Sequence, residues 1–260
     1  MGHGNRTTRI LLLIGLLAAV AAAAFILRTP WEDDARPATA LKRPVLGDEL
    51  APIRARWGAA RHSSHDEELF VRDFFADRRG GFFVDVGAGP WRERSNTCFL
   101  EKELGWSGLA VDALPELADD YRLHRPRTKF FAAFVSDVAD RQATLHVGEN
   151  ALFSSGESAF TNDYTDIARE VRVRTVTLDG LLAAEGVERI DFLSMDIELH
   201  EPQALAGFDI GRYRPALVCV EAHPQVRQKI LDYFARHGYV AVARYLRADP
   251  QNLWFAPLSE

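Results

Sequence analysis

The sequence has little cysteine and no excess of positive charge. Its 260 residues include only two cysteines, Cys98 and Cys219, too few for a disulfide-stapled secreted domain or for a zinc site built on cysteine pairs. Lysine and arginine total 31 against 37 acidic residues, so the net charge is −6. Phosphate binding needs a basic surface, so we expect no nucleic-acid partner. With 47% hydrophobic residues, the composition also excludes a disordered chain.

One long hydrophobic run stands near the amino terminus, at residues 10–27. It reads ILLLIGLLAAVAAAAFIL and contains no charge. A helix of this length spans roughly 27 Å, enough for the hydrocarbon core of a bilayer. We therefore expect residues 1–28 to form an uncleaved membrane anchor, with cleavage of a signal peptide near residues 22–24 as the alternative.

The rest of the chain divides into a linker and one domain. Residues 29–60 contain four of the twelve prolines and charges of both signs, which is typical of an extended linker. From residue 61 to 260, short apolar runs alternate with amphipathic stretches. This alternation predicts an α/β fold with a doubly wound, mostly parallel sheet covered on both faces. The last two predicted strands, 240–245 and 253–255, would form an antiparallel hairpin at one edge.

The first strand of the predicted domain ends in a glycine turn, Asp85-Val-Gly87-Ala-Gly89. Glycine lets the backbone approach a ligand at the carboxyl ends of the strands, where doubly wound folds bind theirs. Asp112 closes the second strand, where a carboxylate can accept both hydroxyls of a ribose. Arg92 occupies the third glycine position of a dinucleotide fingerprint, which disfavours a nicotinamide oxidoreductase as an alternative.

Four stretches together resemble the FkbM family of methyltransferases: Phe83–Ala88, Ser95–Leu109, Phe192–Glu198 and Tyr213–Glu221. The second, with its S-N-T…L-E…L-G-W-x-G-L pattern, is the most specific, and the resemblance covers roughly residues 65–258. It implies the class I methyltransferase fold, a Rossmann-like sheet of seven strands, and S-adenosyl-L-methionine (SAM) as the cofactor. FkbM proteins are thought to methylate hydroxyls, which implies O-methylation of a small-molecule or glycan acceptor.

The resemblance also assigns cofactor residues by position. Asp85, Gly87 and Gly89 would hold the amino-acid end of SAM, and Asp112 would hold the ribose. Asp137 would lie near the adenine, and Asn96 is also expected to bind the cofactor. The family pattern K-I-D-x-E-G-x-E reads S-M-D-I-E-L-H-E at residues 194–201. The three acids are kept, while the lysine and the glycine are lost.

A second group of polar residues is expected to be catalytic. Asp196 and Glu198 alternate after one predicted strand, and Glu221 and His223 alternate after the next. Alternate residues share a strand face, so the four would converge if the strands are neighbours. Methyl transfer to a hydroxyl needs a base or a metal ion. His223 or His200 would be the base, and no metal ion is assigned. Ordinary helix capping is the alternative role for the acids.

Two further expectations concern function and location. The altered 194–201 stretch keeps open an inactive, membrane-anchored binding or trafficking protein of the same fold. SAM is made in the cytosol, so an active enzyme favours a single-pass anchor with a cytoplasmic domain, although basic residues flanking the hydrophobic run do not decide the orientation. The polar segment 148–170 is expected to shape the acceptor pocket. The sequence identifies neither the acceptor nor the oligomeric state.

Overall fold

The computed structural model describes residues 50–258, which form one compact unit. The predicted anchor at residues 1–28 and most of the predicted linker at 29–60 lie outside the described residues. Within residues 50–258, no helix is both long enough and apolar enough to cross a bilayer.

Strands and helices alternate along most of this region. The strands are β1 (Phe82–Val86), β2 (Ser107–Asp112), β3 (Thr128–Ala132), β4 (Phe134–Val135), β5 (Gln142–Gly148), β6 (Ile167–Val176), β7 (Phe192–Met195), β8 (Leu217–Glu221), β9 (Tyr239–Ala241) and β10 (Asn252–Pro257). The α-helices are α1 (Ala51–Trp57), α2 (Glu67–Phe75), α3 (Cys98–Lys102), α4 (Ala118–His124), α5 (Ser158–Tyr164), α6 (Leu178–Ala184), α7 (Glu201–Ala206), α8 (Ile210–Tyr213), α9 (Pro224–Arg236) and α10 (Ala243–Ala248).

The main sheet has seven strands in the order β3-β2-β1-β7-β8-β10-β9. Strands β3, β2, β1, β7 and β8 are parallel, and β10 is antiparallel to both of its neighbours. The predicted doubly wound, mostly parallel sheet of seven strands is confirmed. From β1 the chain proceeds to β2 and β3 on one side, and it later returns to β7 on the other. The crevice at the carboxyl ends of β1 and β7 is therefore the expected ligand site.

A second sheet was not predicted from the sequence. It has three strands in the order β4-β6-β5. The apolar run 130–135 does not form one continuous strand, because it divides at Ala133. Phe131 pairs with β2 in the main sheet, whereas Phe134 pairs with Thr175 of β6. Hydrophobicity alone does not show such a division, because both halves are apolar.

Two boundaries differ from the expected ones. The strand predicted at 240–245 ends at Ala241, and α10 follows, with Tyr245 fully buried. The predicted antiparallel pairing of the last two strands at one edge is confirmed, with β9 outermost and β10 beside β8. The domain also starts earlier than residue 61, because Leu50 and Ile53 belong to a core cluster with residues of α2 and β1.

The start of α2 is held by hydrogen bonds to nearby side chains. The sequence Ser64-His65-Asp66-Glu67 has the spacing of a capping box, but the helix begins at Glu67 and Asp66 precedes it without a side-chain cap. The Glu67 carboxylate instead accepts a hydrogen bond from the backbone of His65 at 2.8 Å, and the Ser63 hydroxyl accepts one from the backbone of Glu68 at 3.1 Å. These bonds fold residues 63–67 back towards the carboxyl edge of the sheet.

A buried ion pair supports the first turn from behind. Arg125 is 0% exposed, and its Nε donates to Glu101 Oε2 at 2.6 Å. Its other nitrogens donate to the carbonyl of Trp91 at 2.8 Å and to Thr97 Oγ1 at 3.1 Å. Thr97 in turn donates to Asp85 Oδ2 at 2.7 Å. The network thus connects α3, the start of β3 and the end of β1.

Removing Arg125 is expected to destabilise the fold strongly. Arg125→Met leaves the Glu101 carboxylate buried without its cation, which costs about 3–5 kcal/mol of unfolding free energy. The matched control is Arg122→Met, because Arg122 pairs with Asp119 in a bridge whose side chains are 80% and 87% exposed. That change is expected to cost at most about 0.5 kcal/mol. Urea unfolding measures both, and equal effects would contradict the assigned role of Arg125.

Candidate active site

A cavity of about 630 Å³ opens at the carboxyl edge of the main sheet. Its volume lies within the range of small-molecule sites. Its wall is formed by segment 63–67, the turn after β1, the end of β2, the loop 150–156 and the segment 196–200. The expectation that the region 148–170 shapes a pocket agrees with this lining.

The turn after β1 fits tightly between its neighbours. Gly87 has φ +78°, and a Cβ there would lie 1.7 Å from the carbonyl oxygen of Asp196. Its N–H donates to the carbonyl of Val111 at 2.8 Å. Gly89 has φ +56°, and a Cβ there would meet nothing within 4 Å. The first glycine therefore allows close backbone packing, and the second leaves its side of the turn open.

Asp112 connects this turn to the loop after β2. Its Oδ2 accepts from Gly89 N at 2.9 Å, and its Oδ1 accepts from Leu114 N at 2.9 Å. Burial raises the pKa of Asp112, while these backbone bonds oppose the shift. Each carboxylate oxygen has two lone pairs, so both can still accept a hydroxyl proton. With open space beside Gly89, this arrangement fits the ribose of a nucleoside cofactor such as SAM.

The other predicted cofactor residues take different positions. Asn96 lines the cavity and donates to Ser194 Oγ at 3.1 Å. Asp85 is 3% exposed and does not line the cavity; burial raises its pKa to about 6, against the hydrogen bond from Thr97. Asp137 is exposed and also lies outside the lining. The structure therefore places Asp85 behind the turn and Asp137 beside the cavity rather than in its wall.

The acidic residues after β7 and β8 come together with a histidine. His223 Nε2 lies 3.1 Å from Glu198 Oε2 and 3.2 Å from Glu221 Oε2. Strands β7 and β8 are parallel neighbours, so their ends lie at the same edge of the sheet. Asp196, Glu198 and Glu221 line the cavity, and His223 stands immediately behind two of these carboxylates.

The path of the chain through this cluster was not as expected. Asp196 and Glu198 do not share a strand face, because β7 ends at Met195. Glu198 and Leu199 both have positive φ, +52° and +76°. Leu199 stands at the glycine of the family pattern and keeps the left-handed backbone that glycine adopts at lower cost. This turn directs Glu198 towards His223.

The cluster contains more negative than positive charge. The hydrogen bond that His223 donates to Glu198, together with its ion pair with Glu221, raises the pKa of His223 to about 10. Burial raises the pKa of Glu198 to about 7. The pKa of Asp196 is also raised, by burial and by the nearby charges of Glu221 and Glu198, although the Asp196 side chain is open to the cavity. Burial also acts on Glu221, but the contact with His223 outweighs it and lowers the pKa. These contacts favour the protonated form of His223.

The same three side chains are of types that bind divalent cations. One ligand atom from each of Glu198, Glu221 and His223 lies within 4.8 Å of the others. Glu221 Oε2 is buried and, apart from its ion pair with His223, makes no hydrogen bond. Carboxylate and imidazole ligands suit several divalent ions, so these are the residues that could hold a metal at this end of the cavity.

Sequence reasoning missed several residues of the cavity wall. Ser63, Ser64, His65 and Glu67 line it from the segment before α2. No pattern in that segment indicates a site, because folding alone brings it to the carboxyl edge. On the opposite side, Phe160 of α5 packs edge-on against His223 with ring centroids 5.0 Å apart.

The chain is similar in sequence to a known family and has partial structural likeness to solved proteins. The family model described as Methyltransferase FkbM domain matches residues 85–241. No curated protein matches the sequence. Among solved structures, a TehB-like SAM-dependent methyltransferase from Corynebacterium glutamicum is 13% identical, with a TM-score of 0.43 over 80% of this chain and 95% of that one. A SAM-dependent methyltransferase from Geobacter sulfurreducens in complex with S-adenosyl-L-homocysteine is 11% identical, with a TM-score of 0.37 over 81% and 80%.

The raised pKa of His223 predicts a loss of stability in alkali. The fold favours the protonated ring, so the stabilisation is complete below the ordinary pKa of 6.5 and is lost as the pH rises through about 10. The unfolding free energy should fall between pH 7 and pH 10, and His223→Gln should remove part of that fall. His237→Gln is the control, since His237 contacts the carbonyl of Tyr233 rather than a carboxylate. Identical pH profiles for the two variants would refute the assignment.

Proposed function

We propose, from the membership of this chain in the FkbM methyltransferase family, that it transfers the methyl group of its cofactor SAM to a hydroxyl oxygen of a small molecule or glycan. The observation that supports the proposal is that a fitting cofactor site and a group of acidic side chains line the same cavity. The glycine turn with Asp112 forms one end, and the acids after β7 and β8 form the other.

Different residues of the cavity would bind the ribose, the amino-acid end and the adenine of SAM. Asp112 would accept the ribose hydroxyls, and the open backbone at Gly89 would accommodate the amino-acid end. Leu114, Phe134 and Val135 supply an apolar wall for the adenine. When bound, SAM supplies a methyl group on a positive sulfonium: the acceptor oxygen forms the new C–O bond as the C–S bond breaks and its electron pair passes to sulfur.

The acidic end of the cavity suits both the donor and a hydroxyl-bearing acceptor. Carboxylates attract a positively charged sulfonium, and they accept hydrogen bonds from hydroxyls. Glu198 and Glu221 are held in place by His223. Phe160 and Tyr164 flank that histidine. Acceptor binding at Asp196 and Glu198 follows from this arrangement.

A second candidate is an inactive binding protein with the same fold. The loss of the family's lysine and glycine from residues 194–201 favours it. The close packing at Gly87 and the hydrogen bonds of Asp112 favour a working cofactor site instead. Binding of SAM or its product therefore discriminates between the two candidates.

Titration calorimetry with S-adenosyl-L-homocysteine tests the cofactor site. Asp112→Ala should weaken binding by about 1–3 kcal/mol, because charged hydrogen bonds to the ribose are lost. Asp137→Ala is the matched control and should bind as the wild type does. Asp196→Asn and Glu198→Gln should also keep their affinity, since they face the acceptor. Unchanged binding in a folded Asp112→Ala protein would disprove the ribose contact.

We also propose that residues 10–27 anchor the protein in a membrane with the domain in the cytoplasm. The support is the uncharged apolar run together with the cytosolic supply of SAM. Alkaline phosphatase and a cytoplasmic fluorescent reporter, each fused after Glu260, measure the orientation. We expect fluorescence without phosphatase activity. The reverse result would place the domain outside and favour the binding-protein candidate.

A further inference from the structure

A chain of hydrogen bonds beside the cavity fixes the proton positions of His200. The Ser136 hydroxyl donates to Asp137 Oδ1 at 3.1 Å. It also lies 3.1 Å from His200 Nε2. A hydroxyl has a single proton, so its oxygen must accept the second bond. His200 therefore carries its proton on Nε2, and Nδ1 carries a lone pair.

The surroundings of His200 leave that lone pair accessible. His200 lines the cavity at the N-cap of α7, and its ring packs edge-on against Phe134 with centroids 4.7 Å apart. Nδ1 faces Gly156, whose missing Cβ would lie 4.0 Å away. Behind the ring, Gly207 lets α7 pack on the Ser136 backbone, since a Cβ there would be 2.4 Å from the Ser136 carbonyl oxygen. Gly156 thus leaves room for the Phe134 ring beside the histidine, and Gly207 allows the close packing on Ser136.

The geometry of two neighbouring histidines suits a base less well. His223 lies outside the cavity lining, and its Nε2 is 3.1 Å from Glu198 Oε2 and 3.2 Å from Glu221 Oε2. His65 lines the cavity too, but its side chain is 64% exposed and its Nδ1 lies 3.5 Å from Glu67.

We propose that His200 is the proton acceptor of the methyl transfer, with Ser136 and Asp137 as positioning residues. This inference rests on the proposed function. The acceptor's hydroxyl proton passes to Nδ1 as its oxygen forms the C–O bond, and the imidazolium then releases a proton from Nδ1 to water. The positive charge is stabilised meanwhile through Nε2–H, the Ser136 hydroxyl and the Asp137 carboxylate. Asp137 thereby has a role that does not require contact with the adenine.

Nitrogen-15 NMR of the histidine rings tests this assignment without any turnover. The His200 signals are assigned by their loss in His200→Gln. We expect the neutral ring to carry its proton on Nε2. Ser136→Ala should produce a mixture of the two neutral tautomers, because the acceptor for Nε2–H is lost. Ser154→Ala, another serine of the cavity wall, should leave the His200 signals unchanged.

Three results would overturn the assignment. The first is an imidazolium at pH 7, and the second is a proton on Nδ1 in the wild type. The third is a loss of more than about tenfold in affinity for S-adenosyl-L-homocysteine in His200→Gln, about 1.4 kcal/mol, which would make His200 a cofactor-binding residue. A wild-type protein that does not bind this product at all would instead defeat the proposed function, whatever the tautomer.

Discussion

The close contact between Gly87 and the backbone of Asp196 is the constraint on which the rest of the site depends. It joins the turn after β1 to the segment after β7, with no room for a side chain between them. The turn that offers open backbone at Gly89 and the segment that carries the acids are therefore fixed relative to each other. A donor group and an acceptor can meet in one cavity because these two backbones touch.

Support for this contact comes from both sides. Behind β1, the buried Arg125 connects Glu101 to Thr97, and Thr97 holds Asp85. In front, Asp112 binds the N–H of Gly89. Beyond the contact, the left-handed residues Glu198 and Leu199 turn the chain so that Glu198 reaches His223 and His200 reaches Ser136. The turn after β1, the acids that line the cavity and the proposed base thus depend on a few backbone positions.

The main sheet and half of the site follow from the sequence, whereas the remainder depends on tertiary contacts. Apolar runs bounded by glycine predicted the parallel strands, and the position of Asp112 predicted its place at the cavity. The separate β4-β6-β5 sheet leaves no signal in the sequence, because the hydrophobic pattern of a strand does not show which other strand it pairs with. Ser136 and His200 are 64 residues apart, so neither indicates the other. For Asp85 the sequence motif is clear, but the side chain is buried behind the turn and does not line the cavity.

A crystal structure with S-adenosyl-L-homocysteine bound tests the central claim most directly. The account predicts ribose hydroxyls on the Asp112 carboxylate, the amino-acid end beside Gly89, and the sulfur directed towards the cavity end that contains Asp196. His200 Nδ1 should remain free of the adenosine and open to the space where an acceptor would bind. Adenosine bound away from Asp112, or a sulfur directed away from Asp196, would contradict the account.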